Sequence, residues 1–293
     1  MARYTKDKKI YLLILPHFLL FFIFFAVPVI WCVYLSFFKY NLFEKQFILF
    51  ANYITLLTNH PLFIKSLKNT FFYAVIFVPL WMIKGIVLSG IIQVFGQRLK
   101  TFFKASFYLP HVTSAVVISM VWLWFYNPEI GLFNHIITAL GFSKISWLGD
   151  PEIAMLSIIF MQILISGGAS VVIFAAAIES IPKSIFEAAE IDGASKIRIY
   201  FQITLPLIKP VLSYQLIIGL IGSFQVFSNI YVMTKGGPQF STLTVLYLIY
   251  ETAFETYDFG LAAAQSVILA VLIGIISVIQ MKIFSDENKY DFK

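Results

Sequence analysis

Residues 178–210 read IESIPKSIFEAAEIDGASKIRIYFQITLPLIKP, a charged, proline-punctuated segment set between two long apolar runs. Ser184, followed three residues later by Glu187, has the spacing of a capping box, in which hydroxyl and carboxylate each satisfy a backbone N–H at a helix start. A short helix is therefore expected from Ser184. Phe186, Ala188, Ala189 and Ile191 give it apolar and small contact surface, and Gly193 suits the left-handed residue that ends one helix and turns the chain into the next. Pro206 and Pro210 close the second piece. The expected product is a helix–turn–helix knob whose small residues let a partner surface come close.

The flanking runs identify the solvent. Sixty per cent of the 293 residues are apolar, 18% aromatic and only 12% charged, a balance that no water-soluble surface of this size tolerates. Charges collect in short segments between apolar stretches long enough for a hydrocarbon core of about 30 Å. Six such stretches are read as spanning helices: 10–38, 69–95, 103–126, 153–178, 207–233 and 261–284. Pro16, Pro28 and Pro79 fall inside them and are expected to kink the helices without ending them, since neighbouring helices re-satisfy freed carbonyls. The expected architecture is an all-α membrane protein. Residues 1–68 hold an N-terminal tail, the first span and an external loop; 69–284 form a five-helix core containing the loop at 179–209; 285–293 form a second tail.

Lys and Arg number four in residues 1–9, three in 96–104, four in 179–209 and three in 282–293. The opposite loops hold six: Lys39, Lys45, Lys65, Lys68, Lys144 and Lys235. By the positive-inside rule both termini and the 179–209 loop are cytoplasmic. The basic N-terminus superficially resembles a signal peptide, but the apolar run behind it is too long and lacks a small-residue cleavage site, so it is expected to stay as a helix. The formal charge of +6 is scattered over these loops with no continuous basic stripe, which argues against nucleic acid and for a lipid bilayer as partner. Cys32, inside the first span, is expected to pack and nothing more.

The six spans contain no Asp or Glu, whereas ion-coupled carriers usually place such residues in the bundle to bind the coupling ion. Energy is therefore expected from outside the chain. A secondary, ion-coupled transporter stays open as the alternative, because backbone carbonyls also bind ions. The chain has no GxxxxGK[ST] phosphate loop; the pair at Gly236 and Gly237 lacks the lysine–serine ending. Without a paired acid and base, a nucleophile motif or a His-rich cluster, no catalytic site, metal site or cofactor of its own is expected.

Glu187, Ala188 and Ala189, then Asp192, Gly193 and Ala194, then Leu205 and Pro206 stand in the order of the EAA loop. At these residues the chain resembles the binding-protein-dependent permeases of ABC importers. A lone EAA triplet carries nothing; the whole string between the fourth and fifth spans is specific. The resemblance implies the type I importer permease fold and a coupling helix that docks into a cleft on an ATPase, with Ser184, Glu187, Ala188, Ala189, Asp192, Gly193 and Ala194 as the coupling residues. It implies as partners a second, similar permease chain in a heterodimer, two cytosolic ATPase subunits that bind the ATP, and an external solute-binding protein, in a bacterial inner membrane. TKGGP at 234–238, the pair Ser241 and Thr242, FGLAAA at 259–264 and YLPHVTSAVVISMVWLWFYNPEIGLFN at 108–134 look like the sugar-uptake branch. Within that branch the chain is similar to the maltose-type first subunit in its short six-span form, without the extra N-terminal spans and long external insertion of the larger member.

A sugar is held by uncharged hydrogen-bonding groups and aromatic faces. Gln162 and Ser166 lie one helical turn apart in the fourth span, and Gln225 and Asn229 repeat that spacing in the fifth, so each pair is expected to share a face, with Ser223 nearby. The resemblance implies a pocket built from the start of the third span and mid-membrane positions of the fourth and fifth, which matches His111, Gln162, Ser166 and Ser223. Gln225 and Asn229 join them on chemistry. Each of the six has a second reading as an interhelical hydrogen bond in a packed bundle. Lys84, the one Lys or Arg left inside a span once the loops are counted, either pairs with carbonyls or lines a watery cavity. Gly167 and Gly168 are read as close-packing sites. Arg3, Arg98 and Arg198 all fall at cytoplasmic positions, so no arginine stands in the pathway to meet an anionic solute.

Overall fold

The computed structural model describes residues 8–285; the tails used in the charge reading, 1–7 and 286–293, lie outside the described residues. Helix dominates. α1 (Lys8–Phe21) continues through a π-helical turn (Phe22–Ala26) into α2 (Val27–Leu35). Two short strands, β1 (Phe38–Tyr40) and β2 (Lys45–Phe47), pair antiparallel, and α3 (Ala51–Thr58) follows. Then come α4 (Pro61–Ile92), α5 (Gln97–Val112), α6 (Ala115–Phe125), α7 (Leu132–Ala139), α8 (Ala154–Ile165) and α9 (Gly168–Glu179). Next are α10 (Lys183–Ile191), α11 (Lys196–Ile199), a π-helical turn (Tyr200–Thr204), α12 (Leu205–Leu207), α13 (Lys209–Phe224) and α14 (Ser228–Met233). α15 (Val245–Tyr250), a third π-helical turn (Glu251–Glu255) and α16 (Phe259–Ser285) complete the described chain.

Among the described residues four helical stretches are long and apolar enough to cross a membrane, Ile14–Leu35, Pro61–Ile92, Lys209–Met233 and Phe259–Phe284. The expected third and fourth spans are each a bent pair: α5 and α6 meet at 92°, α8 and α9 at 44°. Counting each pair once gives six. The straight-helix reading of 103–126 and 153–178 is corrected by local conformation. Thr113 and Ser114 both adopt extended backbone three residues after Pro110, and two such residues cannot carry a helix through. Ser166 is extended and Gly167 left-handed at φ +96°, which only glycine holds without strain. Gly167 therefore serves the break as well as close packing, since an added Cβ would lie 3.3 Å from the Trp81 indole nitrogen. Pro28, by contrast, ends nothing: the helix runs on through it from the π-helical turn, where the Val27 N–H bonds the Phe22 carbonyl.

The chain divides into two compact units. The described part of one comprises residues 8–60 with Ile249–Val271. There Asn52 donates to the carbonyls of Ser36 and Phe38, both at 2.9 Å, which fixes the turn out of α2 against α3. Gly260 lies so close to the Phe38 carbonyl that an added Cβ would sit 2.0 Å from its oxygen. The other unit comprises Pro61–Leu248 and the described residues from Leu272 onward. Its axis is α4, which packs against α8, α9 and α13. Close approach depends on missing side chains. A Cβ on Gly85 would lie 2.9 Å from Phe174, one on Gly219 2.6 Å from Trp81, and one on Gly168 1.9 Å from the Phe107 backbone carbonyl, where α5 meets α9.

Two loops of this unit are built rather than loose. Asn134 satisfies its whole carboxamide, donating to Pro128 and Ile145 carbonyls and accepting from the Ile145 N–H and the Trp147 indole N–H. That pins the 127–147 connection, where Trp122, Tyr126, Phe133 and Trp147 pack ring to ring. In the 234–245 loop Thr242 donates to the Gly237 carbonyl at 2.6 Å, while Asn69 of α4 donates to the carbonyls of Phe240 and Leu243.

Gly168→Ala has no flexible side chain to displace, only backbone. It is expected to destabilise the α5–α9 contact by about 1–3 kcal/mol, the usual cost of overpacking. A lower melting midpoint of the purified protein in lipid nanodiscs is the readout; an unchanged midpoint would show that the two helices are not locked there.

Candidate functional site

One group of polar side chains inside the bundle gathers where two of its helices stop. At the α8–α9 break, Lys84 of α4 donates to the carbonyls of Ile163 at 2.6 Å, Leu164 at 2.8 Å and Ser166 at 2.7 Å. Carbonyl pairing is thus the role the structure gives this lysine. One turn before the break, Gln162 Oε1 accepts a hydrogen bond from Asn229 Nδ2 of α14 at 2.5 Å. Ser119 of α6 lies 3.2 Å from Asn229 Oδ1, its single proton shared with the Ala115 carbonyl of its own helix at 2.7 Å. Among the described residues the hydroxyl of Ser166, enclosed at the break, has no hydrogen-bond partner. The result is a line of neutral amides and hydroxyls running from the third span through the fifth to the fourth, beside one ammonium whose three protons are engaged.

Two of the six expected solute residues, Gln162 and Asn229, are brought into direct contact, and Ser166 stands one turn on. The other three stand apart from this line. Ser223 is buried but turns its hydroxyl back to the Leu220 carbonyl at 2.7 Å. Gln225 is exposed at the end of α13, because the helix is interrupted between Phe224 and Ser228 and the one-turn spacing to Asn229 no longer places the two on one face. His111 is exposed just before the 92° bend, its ring 5.5 Å from that of Tyr108. Ser119 was not among the expected residues, and its signal is slight: a single hydroxyl in the apolar run AVVISMVWLWF.

The 179–209 segment forms the expected helix–turn–helix with a different start. α10 begins at Lys183 behind Pro182, with no side-chain cap, so the capping box of Ser184 and Glu187 does not form. Ser184 is already inside the first turn. The other end is as expected: Gly193 is left-handed at φ +77°, and the N–H groups of Gly193 and Ala194 bond the carbonyls of Glu190 and Ala189, both at 3.0 Å, the double closure of a Schellman ending. Ser195 then caps α11 by accepting from the Arg198 N–H at 3.3 Å. One face of α10 is anchored, with Ile185 and Phe186 on a cluster of Ile178, Ile181 and Ile208 and with Ala189 buried. The opposite face, with Ser184, Glu187 and Ala188, is exposed. Lys104 grips both carboxylate oxygens of Glu179 at 2.8 Å, and the Tyr200 hydroxyl donates to the Ile86 carbonyl at 2.5 Å, tying the segment to α5 and α4. Burial raises the pKa of that phenol. Beside α10 opens a groove of about 980 Å³, walled by Val87, Ile91, Phe186 and Tyr200 and edged by Lys100 and Glu190.

The sequence profile of the family described as binding-protein-dependent transport system inner membrane component matches residues 85–288. The chain belongs to that family. Among permeases, it is 34% identical over 285 residues to the probable ABC transporter permease protein YurN of Bacillus subtilis, an alignment covering 96% of this chain and 97% of the relative. It is 31% identical to the trehalose/maltose transport system permease protein MalF of Thermococcus litoralis, over 96% and 95% of the two chains. A subunit in a crystal structure of a bacterial alginate ABC transporter, in complex with an alginate-pentasaccharide-bound periplasmic protein, superposes with a TM-score of 0.85 at 24% identity, covering 98% of this chain and 99% of that one. That likeness concerns the fold, which is the type I importer permease fold. The resemblance read from the EAA loop and from residues 108–134 and 234–264 is borne out.

Asn229→Leu takes from Gln162 Oε1 its Asn229 donor in an apolar setting, a cost of about 1–3 kcal/mol, while the Ser119 hydroxyl keeps its bond to the Ala115 carbonyl. In a double-mutant cycle of Asn229→Leu and Gln162→Leu, read by melting midpoint, the losses are expected to fall short of additive, as contacting residues do. Strict additivity would mean that the 2.5 Å contact is absent in the folded protein.

Proposed function

We propose that this permease is one of two non-identical transmembrane subunits of an importer for a neutral sugar or oligosaccharide, delivered by an external solute-binding protein and driven by two cytosolic ATPase subunits that hold all of the ATP. The chain binds no cofactor itself. In this reading both termini and the 179–209 segment face the cytoplasm of a bacterial cell, and α10 is the coupling helix. ATP-driven closure of the ATPases pulls on α10, and the bundle alternates its access around the line of Gln162, Ser166 and Asn229.

The observation that carries the reading is the two-sidedness of α10. Its inner face is fixed to the ends of α9 and α13 through Ile178, Ile181 and Ile208, so a force on it reaches two spans. Its outer face offers Glu187 and Ala188, and around it Ile191 is 86%, Ile197 72% and Phe201 62% exposed, outside any spanning stretch. Apolar side chains held in water beside a rigid knob are the mark of a surface that a partner covers. The adjoining groove enlarges that surface. A neutral solute is favoured because the only cation at the mid-span line, Lys84, has all three donors committed to carbonyls. An ion-coupled carrier remains the second reading; uptake that persists after ATP depletion, with ion gradients intact, would select it.

Replacing Glu187 by Ala together with Gly193 by Val is expected to leave the permease in the membrane while abolishing co-purification of the ATPase subunits and solute uptake. Uptake at the wild-type rate in that variant would remove α10 from the coupling role. Sidedness has its own test, because Cys32 is the single cysteine. In a Cys32→Ala background, Ser184→Cys is expected to react with an impermeant maleimide only in inverted vesicles, and labelling of intact cells would reverse the topology.

A further inference from the structure

A lysine inside a spanning segment is costly in hydrocarbon and calls for a specific partner. Here the partners are the three carbonyls that the α8–α9 break orphans. In an unbroken helix the carbonyls of Ile163 and Leu164 would accept from the N–H groups of residues 167 and 168. The extended Ser166 and left-handed Gly167 carry those N–H groups away. An ammonium has three donors and no acceptor, and its distances of 2.6, 2.8 and 2.7 Å use all three. A positive charge at the C-terminal end of α8 also meets the negative end of the helix dipole. Arginine-free and acid-free, the surrounding spans offer this ammonium no carboxylate, so carbonyls are what it holds.

Its neighbours on α4 take hold of the other half of the break. Gly85, the next residue, lets α9 approach until an added Cβ would be 3.0 Å from Ser170 and 2.9 Å from Phe174. Trp81, one turn earlier, lies against Gly167 and against Gly219 of α13. One turn and a half of an unbroken helix thus grips α8 by its carbonyl end, the break residue by an indole, and α9 by a glycine notch.

We propose that Lys84 is a positioning residue for transport: it fixes the fourth span in its broken form and thereby sets where Gln162 and the unpaired Ser166 hydroxyl present themselves to the solute, while touching no solute itself. This rests on the reading of Gln162, Ser166 and Asn229 as the solute line. Its mechanical half, the fixing of the break, stands on the three hydrogen bonds alone.

The test uses the complete transporter reconstituted in proteoliposomes. Lys84→Met, which keeps the stem and removes the donors, is expected to raise the KM for uptake at least about tenfold, as small misplacements of binding groups do. Lys84→Arg, which restores a cation and N–H donors in a planar fork, is expected to recover part of the loss, with a KM between those of Lys84→Met and wild type. A wild-type KM in the Met variant, or an Arg variant as impaired as Met, would overturn the proposal. A second measurement does not depend on the solute. With Cys32 replaced and spin labels on exposed positions Leu156 of α8 and Ile173 of α9, the distance distribution is expected to broaden in Lys84→Met and to sharpen again in Lys84→Arg. If the Met variant fails to assemble, Lys84→Gln is read in the same way, and a wild-type distribution there would overturn the mechanical half. A broadened distribution with unchanged KM would keep Lys84 as a clamp and remove the solute line from this place, which overturns the proposal as stated.

Discussion

Inside hydrocarbon a freed carbonyl has no water to turn to, so each place where a spanning helix stops must bring its own donor. That requirement organises the core of this permease. The fourth span stops at Ile165, and Lys84 supplies three donors from the neighbouring helix. The fifth stops at Phe224, and the Val226 carbonyl accepts from the Thr244 hydroxyl at 3.1 Å. Ser119, Gln162 and Asn229 meet beside the same interruptions, so the positions that disrupt the helices are also positions where neutral polar groups come together.

A second constraint acts on the 179–209 segment. α10 is fixed on one side and open on the other, and sequence order sets which side is which. Ile185, Phe186 and Ala189 fall on one face, Ser184, Glu187 and Ala188 on the other. The Schellman ending at Gly193 then stops the helix sharply, so that α11 begins within a few residues and keeps Ile191 and Ile197 uncovered on either side of the turn. Anchoring by the isoleucine cluster, by the Lys104–Glu179 pair and by the Tyr200–Ile86 hydrogen bond connects the segment to four helices of its unit, α4, α5, α9 and α13.

Much of this was legible in the chain. Hydropathy placed the six helical stretches to within a few residues, apart from the second, whose helix starts at Pro61 because PLFIKSLK is helical although polar, and the third, whose first helix starts at Gln97. Gly193 was readable because left-handed backbone after a helix selects glycine. The breaks were not. Nothing in an apolar run of 24 residues says that Thr113 and Ser114 will be extended, since β-region backbone is open to every residue type, and Gly167 looked like one of many small packing residues. Misjudging the breaks misplaced the site in turn: the one-turn spacing of Gln225 and Asn229 is meaningful only in a continuous helix. The Ser184–Glu187 spacing failed for a different reason. Pro182 already has the extended backbone that a helix start needs, and the helix begins one residue before the serine. Ser119 stayed hidden because its importance comes from a residue 110 positions away.

The length of α4 carries a mechanical corollary. Thirty-two residues make a rod of about 48 Å, against a hydrocarbon thickness of about 30 Å, so whole turns of it must stand proud of the lipid or lean steeply through it. Its first turns are occupied: Lys65 donates to the Gln239 carbonyl at 2.7 Å, Asn69 to Phe240 and Leu243, and Thr70 accepts from the Val245 N–H at 3.0 Å. The 234–245 loop, stiffened by left-handed backbone at Lys235, Gly236, Gln239 and Phe240, is therefore mounted on the end of the same rod that carries the ammonium about 22 Å further down. Any push on that platform travels along a single uninterrupted post to the interrupted helix beside it.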